Sequence, residues 1–466
     1  MWFRAALVAL VALCAWAAYV YTAGFVGISN DDASRALIAW DFARAPSLDP
    51  TRSSWLPVHT YITGAALRVF PWLDVTPRVL SALAALVALL AGARLTTRAG
   101  VRPFALALAL AACASWRWTV LPSAAGAVPE MPCVALVMIA LWALGRERAT
   151  VGSRLLAGVS LALACGHRYE AWCAAFALVA VELYLARDDK GLRRGAVALA
   201  VAAMLVPVAW LVINHARSGD ALDFAKRVVA WRRAEGPLAS MPARIVRYPW
   251  LALRELPLWW PLAALGARAL WGRSRALVLR CAGVALAVLA FLVYGEVRGG
   301  GPTHHHARTL LLVVWALVPL VAAGVEGVVA AVETRRGRVM AVALCAAMIA
   351  WARPRRDDWE GGVPADAVVA GDRVAMLLAR ESARARWYVE LDRLDFLWVE
   401  LRSGAPERAI PDRVYGRPAP GESEQVERAR AARVAAVSTR ESEQTLRRAG
   451  FVVDARRGGW VILRRE

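Results

Sequence analysis

The chain has 466 residues, of which 59% are hydrophobic, with a mean hydropathy of +0.44 and a formal net charge of +20. A soluble fold of this length cannot hide so much apolar surface, so a soluble enzyme or binding module is excluded and a polytopic α-helical membrane protein is expected. All the basic residues except Lys190 and Lys226 are arginine, and much of the charge sits in short loops between apolar runs, which reads as topogenic charge, or as that together with arginines that hold an anionic lipid substrate, and not as a nucleic-acid surface.

The first apolar run, about 5–23, follows Arg4. Its length, and the lack of a clean small-x-small cleavage site after it, predict an uncleaved first helix in place of a signal peptide. The stretch "GISNDDASRALIAWDFARA" comes next, placing Asp31 and Asp32 directly after a membrane-length run. Asn30 or Asp31 can cap the helix that follows, and acidic residues suit its positive N-terminus. Ala33, Ala36, Leu37 and Trp40 recur at helical spacing, which predicts an amphipathic helix on the outer membrane surface. The two carboxylates are either caps alone, or a general base and a partner for a cation.

In "SSWLPVHTYITGAALRVF", Pro57 breaks the chain and a second interrupted helical stretch follows, carrying His59 just after Trp55. "TPRVLSALAAL" then enters the second span with Arg78 and Ser81. Apolar runs at 76–94, 103–115, 131–145, 154–167, 171–186, 195–213, 257–271, 277–294, 309–331 and 338–352 bring the expected total to about eleven spans. Arginine-rich loops around 94–102, 146–154, 187–194, 268–280 and 335–338 all fall on one side of such a layout, and that side is predicted to be cytoplasmic, with the N-terminus. The outer side receives 24–75, 116–130, the turn at 167–170, 214–256, 295–308 and everything after about 353.

Several outer segments carry titratable groups. "AVPEMP" sets Glu130 between prolines at the end of a span, where a carboxylate is costly without a partner or a task. "GHRYEAW" puts His167, Arg168 and Glu170 in a tight turn, and an arginine there suits a phosphate. "GEVRGGGPTHHHARTLLL" holds His304, His305 and His306 ahead of Arg308. The histidines read as a polar loop, a phosphate or sugar contact, or a metal site, and Arg298 and Arg308 as the better anion ligands. The loop 214–256 adds Arg232, Arg233, Arg244 and Arg247, with interfacial Trp231, Tyr248 and Trp250.

The last part, 353–466, changes character. "ARWYVEL" and "RVAAVST" read as strands, "GDRVAMLLARES" and "ESEQTLRRAG" as helices, "FVVDARRGGWVILRR" as a closing hairpin, and "APERAIPDRVYGRPAPGESE" as loop. The expected organisation is therefore a transmembrane domain over 1–352, with loop helices in 24–75, and a small soluble α/β domain over 353–466 on the outer face. The seven cysteines lie in or beside apolar runs, with no disulfide or zinc spacing.

The order of these features resembles the GT-C glycosyltransferases, in particular bacterial relatives of protein O-mannosyltransferases and of lipid A aminoarabinose transferases. The resemblance lies in the acidic pair Asp31-Asp32 opening the first outer loop, the surface helix, the proline-bearing "SSWLPVHTYI", "PRVLSAL", Glu130-Met131-Pro132, Arg168 in the turn between two spans, and a weaker match at "ARTLLLVVWALVP". It covers about residues 1–330. Asp32 stands where Glu is frequent, Glu130 where Asp is more usual, and no lysine precedes Pro57, which leaves Arg52 as the basic residue of that loop. The resemblance implies a GT-C fold in a bacterial cytoplasmic membrane. It implies transfer of a sugar from a polyprenyl-phosphate donor to a lipid, glycan or protein acceptor on the outer face. It further implies Asp31, Asp32 and Glu130 as catalytic acids, and Arg52, Trp55, His59, Arg78, His167, Arg168, Glu170, His304 and Arg308 around the substrates. Asp32 and Glu130 are the candidates for a divalent metal ion. Membrane lipids are expected partners and nucleic acid is not. A polyprenyl-linked lipid or glycan transporter, or a non-catalytic membrane scaffold, is the alternative. A transporter more often shows repeated halves with broken central helices, and the chain has no such repeat.

Overall fold

The computed structural model describes residues 2–48, 54–145, 150–234, 236–300, 305–331, 335–359, 363, 365–393, 395–412 and 421–465. Arg52 and His304, both expected near the substrates, lie outside the described residues. The first apolar run is α1 (Trp2–Thr22). The loop helices α2 (Asn30–Arg44) and α3 (Val58–Val69) follow, and α4 (Val75–Arg98) is the next long apolar helix. The cap of α2 is Ser29, one residue earlier than expected: its backbone is extended and its hydroxyl accepts from the Asp31 N–H at 3.3 Å. Pro57 directly precedes α3, as its missing N–H favours.

The pair α5 (Pro103–Ala114) and α6 (Arg117–Ala124) meets at a 64° bend, so part of the expected outer loop 116–130 is helical. Next come α7 (Glu130–Leu144), α8 (Val151–Cys165), α9 (Glu170–Leu185) and α10 (Lys190–Ser218). The segment after α10 holds α11 (Asp223–Ala234) and α12 (Met241–Glu255). The last apolar helices are α13 (Trp259–Val297), α14 (Leu311–Ala331) and α15 (Arg335–Ala352).

Every expected apolar run is helical, and length and apolarity mark part of these helices as membrane-spanning. Among the described residues five helices, α1, α4, α10, α13 and α14 with the turn before it, are long and apolar enough to cross a membrane, or six if the bent pair is one span. The runs 257–271 and 277–294 are two helical segments of α13, separated by a kink at Ser274, whose φ/ψ of −152° and 48° are non-helical. With α7 and α8 as shorter apolar helices, the chain is a multi-pass membrane protein.

Helix packing follows small residues. A Cβ on Gly266 of α13 would overlap the Leu320 carbonyl oxygen of α14, so only glycine permits that approach, and Gly324 plays the same part from the other side. The ends bearing arginine-rich loops are tied by ion pairs. Glu182, fully buried, sits between Arg154 at 3.2 Å and Arg280 at 2.5 Å, and Arg102 pairs with Glu326 at 3.1 Å. Charges taken out of water in this way are tolerated only when paired.

After α15 the chain forms α16 (Ala365–Leu378), β1 (Arg386–Val389), α17 (Phe396–Ser403), β2 (Ala409–Pro411), α18 (Glu422–Arg430), β3 (Ala432–Val437), α19 (Arg440–Arg448), β4 (Phe451–Arg457) and β5 (Trp460–Arg465). The sheet order is β2-β1-β3-β5-β4, with β1 parallel to β2 and β3 and with β4–β5 an antiparallel hairpin. The expected strands, helices and hairpin are present. The stretch expected as loop, 405–424, contributes edge strand β2, too short to show alternation, and the start of α18.

The apolar face of α2 has a different neighbour from the one expected. Ala33, Ala36, Leu37 and Ala39 lie in one buried cluster with Trp398 and Val399 of α17, and with Leu67 of α3, where a membrane surface was expected. Three of those four α2 side chains are methyl groups, which allow close protein packing and offer little for a bilayer to grip.

Candidate active site

Four acids sit in the first turn of a helix: Asp31 and Asp32 on α2, Glu130 on α7 and Glu170 on α9. Positive helix ends make these favourable places for carboxylates. The chain folds so that the four come together with three arginines. Arg168 donates from Nε and Nη2 to Glu170 at 3.1 and 2.6 Å and from Nη1 to Glu130 Oε1 at 2.6 Å. Arg308 lies 3.3 Å from Asp31 Oδ2 and 3.5 Å from Glu130 Oε1. It is delivered by a tight turn, His306–Leu310, entered through His305 at φ 51°, a left-handed conformation that no other non-glycine residue adopts among the described residues.

The third arginine, Arg35, has no place in the sequence-based list. It stands four residues after Asp31 on α2, so the helix turns both to one face, and that spacing is the signal that would have found it. Its guanidinium lies 4.0 Å from the centre of the Trp55 ring. Burial lowers the Arg35 pKa, against the pull of Asp31 and Glu130.

Asp32 is 2% exposed, and its Oδ2 accepts the Ile28 N–H at 2.5 Å. Its Oδ1 is buried without a hydrogen-bond partner, as is Glu130 Oε2. Burial pushes the Asp32 carboxyl up to about 6, with the Ile28 N–H and Arg308 pulling down and Glu130 and Asp31 adding to the rise. Asp31, by contrast, has a 42% exposed side chain. Two acids side by side thus differ sharply in environment, the usual device for separating acid and base roles.

His59 and His167 face each other with ring centres 5.6 Å apart, because the Val58 N–H bonds the Gly166 carbonyl and docks the start of α3 on that turn. His59 Nε2 and both His167 ring nitrogens are buried without partners. Burial first, and then Arg35, lowers His59 to about 3, and burial with His59 and Arg35 nearby lowers His167 well below its ordinary value. Both rings are therefore neutral at physiological pH and offer hydrogen bonds without charge.

Arg78 is placed differently from the expected substrate ligand. Its guanidinium donates to Asp74, to the Val26 carbonyl at 2.5 Å and to the Ala124 carbonyl at 3.0 Å, and Ser81 reinforces it by bonding the Gly126 carbonyl at 2.9 Å. These bonds hold together the two loops that lead into Asp31 and Glu130. His305 and His306 face away from the acids, toward Trp118 and Glu296 respectively. As for a metal, no group of three His, Cys, Asp or Glu able to hold an ion occurs among the described residues. Asp32 and Glu130 supply two carboxylates, and the Arg308 guanidinium acts on both.

An apolar groove of about 550 Å³ runs between α9 and α13, lined by Cys173, Phe176, Ala177, Ala287, Phe291 and Tyr294. Its lining residue Cys173 lies three residues after Glu170 on α9.

This arrangement of helices, with acids and arginines converging beside a C-terminal sheet, has a counterpart among solved structures. The chain shares this fold with the crystal structure of ArnT from Cupriavidus metallidurans. It matches the undecaprenyl phosphate-bound form with a TM-score of 0.58 at 15% identity, over 99% of this chain and 96% of that one. The apo form matches with a TM-score of 0.56 at 14% identity, over 94% and 93%. No family model matches the sequence. No curated protein matches it either.

Proposed function

We propose that this protein is an integral-membrane glycosyltransferase that moves a sugar from a polyprenyl-phosphate donor to an acceptor hydroxyl. The observation that carries this reading is the single cluster of Asp31, Asp32, Glu130, Arg35, Arg168 and Arg308. A phosphate headgroup would sit at the arginines with its prenyl chain in the lipid, in keeping with the ligand of the ArnT structure, which is undecaprenyl phosphate.

In this mechanism the acceptor oxygen attacks the anomeric carbon while the bond from that carbon to the phosphate oxygen breaks. Asp32, with a raised pKa and a free Oδ1, takes the acceptor proton. The departing phosphate gains one negative charge, which Arg308 and Arg35 stabilise. Arg168 is already held on three sides by carboxylate oxygens, so its task is to fix Glu130 and Glu170. Glu130 Oε2 and the two neutral imidazoles are placed to bond sugar hydroxyls. The reaction is assigned to the outer face of a bacterial cytoplasmic membrane, with the N-terminus in the cytoplasm and residues 353–466 as a soluble unit outside.

The test is transfer from a panel of radiolabelled polyprenyl-phosphate sugars in membranes, comparing wild type with Asp31→Asn and Asp32→Asn. Asp32→Asn should lower turnover by about 10²–10⁴-fold, the usual contribution of a positioned base. Donor that binds but is never turned over by the wild type would favour the transporter or scaffold.

A further inference from the structure

The loop helix α12 (Met241–Glu255) is built the wrong way round for a helix in water. Its polar side turns inward: Arg244 donates to the Val297 carbonyl at 2.8 Å, Arg247 pairs with Glu296, and Tyr248 and Glu255 are buried. The opposite arc carries Met241, Ile245, Val246, Trp250 and Leu253, each 47–59% exposed. Helical spacing puts all five within one half of the circumference. Among the exposed residues of α12 only Arg254, near its C-terminal end, is charged. A contiguous apolar arc of this kind is a contact face and not a surface for water.

The neighbours of α12 say what covers that arc. Arg244 meets Val297, the last residue of α13, and the Ala252 carbonyl accepts from the Trp260 indole, in the first turn of α13, at 2.8 Å. The two segments of α13, which is apolar enough to cross a membrane, therefore end side by side against α12, and α12 runs across their ends. The Trp351 indole bonds the Arg254 carbonyl at 2.7 Å, so two tryptophans mark this level, as they do at membrane interfaces. Tyr294, three residues before Val297, is also exposed, which continues the apolar surface from α12 onto α13. A second copy of the chain fits the arc poorly. A strip about 22 Å long and about 10 Å wide covers about 220 Å², far below the roughly 800 Å² per partner of a stable interface. A bilayer needs no such minimum, and an apolar helix face sinks into it at the headgroup boundary.

The inner face of α12 meets the turn that delivers Arg308. Arg247 Nη1 lies 3.1 Å from His306 Nε2, and the Tyr248 hydroxyl lies 3.2 Å from the hydroxyl of Thr309, the residue after Arg308. That turn is entered through left-handed His305, a conformation that persists only where the surroundings hold it. Arg308 in turn touches Asp31 and Glu130. We infer that α12 lies in the membrane interface with its apolar arc in the lipid, and that the lipid, by seating α12, holds the Arg308 turn in place. The bilayer is then a partner of the acid and arginine cluster without entering it.

The full-length protein would be placed in nanodiscs of phosphatidylcholine that carries a diazirine on one acyl chain, and the lipid adducts mapped by mass spectrometry. Adducts should fall on Ile245, Val246, Trp250 and Leu253, as on the exposed Leu286 of α13, and not on buried Tyr248. An arc that takes no adduct while Leu286 does, or that cross-links to a second copy, overturns the lipid as its occupant. Hydrogen exchange in the same nanodiscs reads the coupling. Ile245→Ser with Trp250→Ser should speed exchange over 305–310 at least threefold and leave 178–185, around Glu182, unchanged. Ile245→Leu with Trp250→Phe should behave as wild type. Exchange over 305–310 that the serine pair leaves unchanged, or exchange that rises equally in both segments, overturns the hold on the Arg308 turn. Neither readout uses sugar transfer, so failure here leaves the glycosyltransferase reading standing.

Discussion

At the scale of single residues, the difference between Asp31 and Asp32 is the most informative feature. Asp32 must be ionised to accept a proton, and burial holds its carboxyl near 6. Activity should therefore rise with pH through about 6 and level off above it, so that a plot of kcat/KM carries an acidic limb there. Arg308 is one of the groups pulling that value down, while Glu130 and Asp31 push it up. Arg308→Gln should move the limb to higher pH as well as weakening donor binding, whereas Asp31→Asn should move it to lower pH. A limb unmoved by either substitution would remove Asp32 from the role of base. The acids themselves are legible in the sequence because each interrupts or borders an apolar run, where an unpaired charge is costly. Arg35 is harder to find, since it sits inside a helix among alanines and acquires meaning only when α2 is laid against Trp55 and Arg308. The part played by Arg78 is likewise invisible in the sequence, because backbone carbonyls carry no residue identity.

At the scale of elements, α2 is held between the acids and the C-terminal helices, and its contacts explain two glycine and acid positions. A Cβ on Gly27 would stand 2.6 Å from Asp32 Oδ2 and 2.7 Å from the Trp398 ring of α17. Gly27→Ala must then displace one of them, and the carboxylate is the smaller group. The expected result is a loss of transfer of at least tenfold with donor binding retained, measured as kcat against donor Kd. On the far side of the same interface, burial raises the Glu400 carboxyl to about 8, with Asp41 of α2 contributing. Its pKa in the unfolded chain is near 4.5, so between pH 4.5 and 8 the folded chain holds a proton that the unfolded chain has released. Stability contributed here is greatest below 4.5, falls as pH rises toward 8 and is level above. Glu400→Gln should flatten the pH dependence of Tm across that window. The helix α2 is legible from its spacing and its caps, but its partner is not. An apolar stripe looks the same whether a bilayer or another helix covers it, and α17 lies more than 350 residues away in the chain.

At the scale of the whole molecule, the two ends are held by different means. One end carries the buried Arg154–Glu182–Arg280 group, and the other carries a chain of contacts from the C-terminal unit to the acids. Arg402 of α17 bridges Asp372 of α16 at 2.8 Å and Asp74 at 3.0 Å, Asp74 pairs with Arg78, and Arg78 grips the carbonyls of Val26 and Ala124. The distinct composition after residue 353 is plain in the sequence, and so is the sheet, because strand and hairpin patterns are local. The docking is not plain, because a partly exposed Arg–Asp bridge has no periodic signature. Its energetic weight is also unequal along the chain. Arg402 and Asp74 are both about a third exposed, and such pairs contribute at most about 1 kcal/mol. Arg78 is more buried and binds backbone oxygens that would otherwise be left without that donor. Arg78→Ala should therefore loosen both acid-bearing loops and cost transfer at least tenfold, while Arg402→Ala should cost about fivefold or less. Arg78→Lys should fall with Arg78→Ala, since an ammonium cannot reproduce the fork that reaches two loops at once. Hydrogen exchange over 26–32 and 124–130 separates this from a general loss of fold. Faster exchange in both segments with Arg78→Ala, and no change around Glu182 at the opposite end, is the result that the geometry requires. Exchange that rises equally at both ends would make Arg78 a residue of overall stability with no particular hold on the acids.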